Sequence, residues 1–276
     1  MQLVSPRDAP KLGAPILATR MDPSERARAS PAPVETRVVS VPASCSSSVL
    51  ARGVDRRLAS VSFLVADGEN STDVVVEQNV RDGTGASASS ARDPTARWVW
   101  DTSPRLCEWL CQGENAGRLV RGKRVVELGA GAGLPGLVCA RLGAASVTLT
   151  DLPQELDLLE RNVRANARPG DAQVSVRACS WGDLDAWRGE EFDLVIVSDG
   201  LYHQPEPVLR ALAQTIEALV SKNGGVVLFG YYFRENLIAD AVFFDFIQAS
   251  FDEPARISFE EDPSVWVFEW TPKSTN

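Results

Sequence analysis

Residues able to do chemistry recur where short apolar runs end. The first run, Val125-Val-Glu127-Leu, closes on an acid and continues through Gly129, Gly131 and Gly133 to Gly136. Glycines permit positive φ and let a ligand approach the main chain. A helix opening just after such a loop aims unpaired N–H groups at the same spot. The pattern is a seat for a nucleotide-like ligand, although a turn that only tightens strand–helix packing is the alternative for the loop taken alone. Gly131-Ala-Gly133-Leu-Pro-Gly136 fits the dinucleotide fingerprint, a weak signal by itself. The extra glycine at Gly129 and the carboxylate of Glu127 argue against a pyrophosphate, which that carboxylate would repel. They favour a ligand with an ammonium group, and S-adenosylmethionine has an α-amino group, a sulfonium and no phosphate.

Three later run ends carry further candidates. Asp151 follows Val147-Thr-Leu-Thr150; its carboxylate can accept both hydroxyls of a ribose or cap the helix expected from Pro153. Trp181 lies in a loop and can cover one face of an adenine or plug the core beneath it. Asp199 and Tyr202, in Val197-Ser-Asp-Gly-Leu-Tyr-His203, leave a strand end toward the same cleft and form the best candidate for a reaction site. His203 is the single histidine of the chain. Followed by Gln-Pro, it reads better as a surface turn than as a general base.

The elements that must position these residues alternate. Strands are expected at 124–128, 146–150, 173–178, 192–197 and 225–229, with helices at 104–112, 134–142, 153–167, 207–221 and 235–250. That order predicts an α/β fold, a Rossmann-like, mostly parallel sheet covered on both faces. The last runs, 256–259 and 265–270, alternate across a short turn and predict a C-terminal antiparallel hairpin, which is not the usual dinucleotide architecture. Upstream, Val61-Ser-Phe-Leu-Val65 and Val74-Val-Val76 flank a turn-like segment and predict an N-terminal β-hairpin. The organisation expected is a disordered extension at 1–53, the hairpin within 54–82, a flexible Ser/Ala-rich insertion at 83–97 and the main domain at 98–272.

Composition bounds the function classes. The 276 residues are 44% hydrophobic with a net charge of −9, enough apolar content for a full core. Residues 1–50 carry a net +2, leaving −11 for the remainder. An acidic body disfavours sequence-independent contact with nucleic acid and suits a basic protein partner or simple solubility. Five scattered cysteines show no zinc spacing and suit a reducing compartment, so a cytoplasmic location without a metal is expected. No apolar run reaches membrane-spanning length, and Pro6, Asp8 and Pro10 interrupt any signal-peptide core.

Taken with Gly83-Thr-Gly85, Trp100-Asp101, Thr148-Leu-Thr-Asp-Leu-Pro153, Arg161-Asn-Val-Arg-Ala-Asn166 and Ser180-Trp-Gly182, these motifs carry a family resemblance. From about Leu58 to Trp270 the chain resembles the lysine methyltransferase-like family 16 of seven-strand, class I S-adenosylmethionine enzymes. The resemblance implies a Rossmann-like seven-stranded sheet, S-adenosylmethionine as methyl donor, and a protein substrate that is usually a lysine side chain. It places Trp100, the Gly129-Ala130-Gly131 loop, Asp151, Trp181 and Ser198 at the cofactor, and Asp199 and Tyr202 in the D-x-x-Y motif at methyl transfer. The glycine loop as read from the residues adds Glu127 and Gly133 to the cofactor set. Three departures stand out. A Ser/Ala-rich segment separates Gly85 from Trp100, Cys179-Ser180 replaces a common Leu-Asp before Trp181, and the N-terminal extension has no family counterpart.

A lysine amine titrates near 10.4, so transfer requires a neutral amine held in line with the donor carbon. Positioning is expected to contribute most, with Asp199 orienting the amine and retaining the incoming cation rather than acting as a strong base. Other readings remain open at this level: another acceptor (histidine, an N-terminal amine, a small molecule), a non-catalytic binding module of the same fold, or a nicotinamide-dependent oxidoreductase. Monomer is the default expectation, with no nucleic-acid or membrane partner.

Overall fold

The computed structural model describes residues 60–67, 70–78, 97–112, 114–234, 237–260 and 262–274. The expected extension at 1–53, the Gly83-Thr-Gly85 motif and nearly all of the insertion at 83–97 lie outside the described residues. In chain order the elements are β1 (Ser60–Asp67), β2 (Asn70–Glu77), α1 (Thr102–Cys111), β3 (Arg124–Leu128), α2 (Leu134–Arg141), β4 (Ser146–Asp151), α3 (Leu156–Asn166), β5 (Gln173–Ala178), β6 (Leu194–Ser198), α4 (Glu206–Leu219), β7 (Val226–Tyr232), α5 (Leu237–Ser250), β8 (Ala255–Phe259) and β9 (Asp262–Trp270). No helix among the described residues is long and apolar enough to cross a membrane.

Val125, Val126 and Leu128 are fully buried, as are Leu194, Val195, Ile196 and Val197. Strands apolar on both faces need helices on both faces, and β3 and β6 lie side by side at the centre of a seven-stranded sheet ordered β5-β4-β3-β6-β7-β9-β8. The strands from β5 to β7 run parallel, whereas β9 is antiparallel to β7 and to β8. β9 begins three residues earlier than the apolar alternation suggested, and it inserts between β7 and β8 rather than pairing with β8 alone. After β3 the chain builds outward through β4 and β5, then returns to lay β6 on the other side of β3. That reversal opens a crevice at the carboxyl ends of β3 and β6, where open α/β sheets bind ligands.

The β1–β2 hairpin packs its inward side chains, Phe63, Val65, Val74 and Val76, into the same hydrophobic cluster as β3, α1 and α2. Two asparagines of α3 hold it there. Asn166 accepts from the Val75 amide (2.9 Å) and donates to the Val75 carbonyl (2.7 Å). Asn162 accepts from the Glu77 amide (2.8 Å) and donates to the Glu77 carbonyl (3.2 Å). The pair acts as a surrogate strand against the free edge of β2, satisfying groups that an open edge leaves exposed. Asn162 also donates to the Ala132 carbonyl in the glycine loop (2.9 Å), so one side chain links hairpin, helix and loop. At the base of the 79–96 segment, Gln78 Oε1 accepts from the Val99 amide (3.0 Å), which brings the chain back to its point of departure beside Trp98 and Trp100.

Asn162 is fully buried, so truncating it strands backbone groups away from water. Asn162→Ala is expected to lower stability by about 2–4 kcal/mol, read as a reduced urea midpoint at unchanged slope. A loss below about 0.5 kcal/mol, the range of an ordinary surface substitution, would contradict the linking role.

Candidate active site

The glycine loop is fixed to the strands around it. The Ala130 amide donates to the Thr150 carbonyl (2.8 Å) and the Gly133 amide to the Ala130 carbonyl (2.7 Å). Gly129, Gly131 and Gly133 all adopt positive φ, which is why these positions suit glycine. Their roles then separate. A Cβ on Gly129 would sit 3.1 Å from the Trp181 ring, on the crevice side. A Cβ on Gly133 would instead strike Leu159 and Leu149, and one on Gly136 would overlap Leu149 at 2.1 Å. Gly133 and Gly136 are therefore packing glycines that seat α2 on the sheet. Gly133, expected among the cofactor contacts, is not among the residues that line the cavity.

A cavity of about 330 Å³ opens over the crevice, within the range of small-molecule sites. Trp100, Glu127, Gly129, Ala130, Gly131, Asp151, Trp181, Ser198, Asp199 and Tyr202 all line it. Sequence reasoning missed the lining residues Trp98, Ser103, Glu155, Gln204 and Val208. Of these, Ser103 lies close to the Trp100-Asp101 motif and Gln204 just beyond Tyr202, but neither type announces a ligand.

Each carboxylate has its own environment. Glu127 is 1% exposed, and its Oε2 accepts from the Gly136 amide at 2.8 Å. Burial pushes its pKa up to about 8; the Gly136 hydrogen bond opposes the shift and the Asp151 charge adds to it. Asp151 accepts from the Gly131 amide through Oδ2 and from the Leu152 amide through Oδ1, both at 2.7 Å. The helical turn at Pro153 has Leu152 at its cap position with no side-chain cap. Asp151 thus anchors the loop instead of capping the helix, and it keeps a face on the cavity. Trp181 bridges the loops after β3 and β6, since a Cβ on Gly200 would also meet its ring at 3.6 Å. Ser198 Oγ is within 2.7 Å of Thr102 Oγ1 and 2.9 Å of Ser103 Oγ, which ties the end of β6 to the start of α1.

The reaction-site pair differs from expectation in one respect. Asp199 has φ +60, in the left-handed region, and His203 has φ +54; Asp and His are among the side chains that tolerate it. Asp199 carries a resident cation: Arg234 Nη1 and Nη2 donate to its two oxygens at 2.6 and 2.7 Å. The guanidinium lies 4.7 Å from the Tyr202 ring, 5.1 Å from Tyr232 and 5.4 Å from Trp100. Tyr202 packs on Trp100 (4.9 Å) and His203 on Tyr202 (4.1 Å). His203 is an exposed turn residue. Beyond Arg234, Tyr231 donates to Asp240 at 2.7 Å, and burial raises the pKa of both.

The glycine loop and the carboxylates at adjacent strand ends thus share one crevice of an open α/β sheet, the place where such sheets bind ligands. A family model described as lysine methyltransferase matches residues 86–250; the chain belongs to that family. It is 39% identical over 131 residues to EEF1A lysine methyltransferase 3 from Mus musculus, covering 47% of this chain and 53% of the relative. It is 41% identical over 132 residues to protein N-lysine methyltransferase METTL21A from Danio rerio, covering 47% and 58%. Against protein N-terminal and lysine N-methyltransferase efm7 from Schizosaccharomyces pombe, identity is 30% over 190 residues, covering 62% and 72%. The matched region thus spans little more than half the length of the first two relatives. Among solved structures, an O-methyltransferase family protein from Burkholderia thailandensis superposes with a TM-score of 0.51 at 17% identity, covering 67% of this chain and 59% of that one, a likeness of fold.

The sign of the Glu127 shift fixes a pH dependence. A carboxyl whose folded pKa is raised from 4.5 to about 8 binds more protons in the folded state between those values. Its contribution is complete below 4.5 and lost as pH rises through 8. The protein without ligand is expected to lose stability across that window by up to about 1.4 kcal/mol per pH unit. Glu127→Gln, which keeps an oxygen for the Gly136 amide, should flatten the profile. Urea unfolding from pH 5 to 8.5 tests this; parallel profiles for the two proteins would contradict it.

Proposed function

We propose that the chain is an S-adenosylmethionine-dependent methyltransferase whose acceptor is a lysine side-chain amine of a protein. One observation carries the reading most. A single cavity has the glycine loop, Glu127, Asp151 and Trp181 around one part, and Asp199 and Tyr202 at another. Family membership supports the same reaction.

The residues fit the donor. Glu127 offers a buried carboxyl to an ammonium group. Asp151, already oriented by the Gly131 and Leu152 amides, presents its cavity face to ribose hydroxyls. Trp181, close beside Gly129, offers a ring to an adenine. Ala130 and Gly131 allow close approach of the main chain. S-adenosylmethionine, when bound, supplies a methyl group on a positively charged sulfur.

The rest of the task belongs to the protein. Trp98, Trp100 and Tyr202 exclude water from the acceptor end, which favours the neutral form of a lysine amine. Asp199 has both oxygens engaged by the Arg234 guanidinium. Its carboxylate and the Tyr202 hydroxyl serve to orient the amine's hydrogens. Near-attack geometry is therefore the main contribution. The Schizosaccharomyces pombe relative is named for N-terminal as well as lysine methylation, so a protein α-amine stands as the second acceptor to test.

Incubating a lysate with labelled donor and the protein, then mapping the label by mass spectrometry, tests acceptor and activity together. Label is expected on lysine and to fall at least a hundredfold with Asp199→Asn, while S-adenosylhomocysteine binding stays within threefold of the unaltered protein. Full turnover by Asp199→Asn, or label on an oxygen or sulfur atom, would overturn the assignment.

A further inference from the structure

Arg234 belongs to no motif, yet it takes the most chemically defined position at the acceptor end. Its guanidinium meets Asp199 with two parallel hydrogen bonds and is surrounded by Trp100, Tyr202 and Tyr232. Three aromatic rings around a cation, with a carboxylate at the base, form a cation-binding cage.

The two partners are unequal. The Asp199 side chain is 2% exposed and that of Arg234 is 23% exposed. A carboxylate so buried cannot lose its cation to water alone, because an uncompensated buried charge is strongly disfavoured. Arg234 can leave it. Its long side chain starts just beyond the end of β7 and already reaches solvent, where a guanidinium is readily hydrated. The asymmetry permits exchange of one cation for another and resists simple opening. Asp199 and Tyr202 also line the cavity that the proposed reaction uses.

We propose that Arg234 is the resident occupant of an alkylammonium-binding cage made by Asp199, Trp100, Tyr202 and Tyr232, and that an incoming lysine ammonium takes the cage by displacing it. This rests on the methyltransferase reading for its biological meaning but not for its test. The cage receives the acceptor as an ammonium, since a neutral side chain gives Asp199 no replacement for the cation it loses; the proton then leaves to solvent and Arg234 returns to Asp199 before the neutral amine attacks. It also sets an affinity threshold that a lone amine crosses only at high concentration and that docking of a whole protein lowers.

The chain has three tyrosines: Tyr202 and Tyr232 in the cage, whose signals are read, and Tyr231, hydrogen-bonded to Asp240. Ring-labelled tyrosine spectra of the full protein are titrated with butylammonium chloride at constant ionic strength, with butan-1-ol as the neutral control. In Arg234→Gln, the Tyr202 and Tyr232 signals should shift and saturate, with affinity at least tenfold above wild type. Arg234→Lys, which keeps a resident cation, should behave like wild type, and butan-1-ol should shift neither signal. Equal affinities in wild type and the Gln variant, or no shift at Tyr202 in that variant, would overturn the proposal. Should the Gln variant not fold, the wild-type protein decides. High butylammonium must then move the Arg234 Nε resonance together with Tyr202, and an indifferent Arg234 signal refutes displacement. Calorimetry with S-adenosylhomocysteine on the same samples separates the two ideas: a wild-type protein that ignores it sinks the methyltransferase reading whatever the cage does.

Discussion

Three carboxylates stand at the carboxyl ends of three adjacent parallel strands, β4, β3 and β6, and all are buried. Burying negative charge is costly unless each group is hydrogen-bonded, paired or neutralised, and the crevice is organised by how each is satisfied. Asp151 takes the Gly131 and Leu152 amides, which pins the glycine loop. Asp199 takes a guanidinium from the far end of β7. Glu127 has one amide, from Gly136, and is held largely protonated near neutrality by its burial. Of the three it is the group most altered by the arrival of a cation.

The same constraint explains the glycines. Gly136 must lack a side chain for α2 to touch β4 and for its amide to reach Glu127, since a Cβ there would lie 2.8 Å from the Glu127 carboxyl as well as inside Leu149. Gly129 must lack one so that Trp181 can lie across the loop. One glycine run thus serves packing at one end and the ligand face at the other. Asn162 links the loop to the β1–β2 hairpin, so the hairpin braces the site although none of its described residues lines the cavity.

Much of this was legible in the sequence because the relevant signals are local. Apolar runs ending in Glu127, Asp151 and Asp199 mark strand ends, and strand ends in an alternating α/β chain converge on one crevice. The packing role of Gly133 was not legible, because glycines that serve a ligand and glycines that serve a helix look alike until the direction of the missing Cβ is known. Arg234 was not legible: its partner is 35 residues upstream, and only the β6–β7 pairing brings them together. The Arg161-Asn-Val-Arg-Ala-Asn166 motif was visible as a pattern without a purpose, since the edge it serves lies more than 80 residues away. The early start of β9 also depends on pairing, as Asp262 faces Phe259 of β8 across an irregular register that alternation alone does not reveal.

In the proposed function the buried Glu127 carboxyl receives the ammonium end of a sulfonium nucleoside. Calorimetric titration with S-adenosylhomocysteine from pH 6 to 8.5, repeated in buffers of different ionisation enthalpy, addresses it most directly. Because free Glu127 titrates near 8 and a bound ammonium favours its ionised form, binding should release up to about one proton near pH 7, with affinity rising toward pH 8. Glu127→Gln should abolish the release. Binding without proton exchange and with a flat pH profile, or no binding at all, would contradict the account.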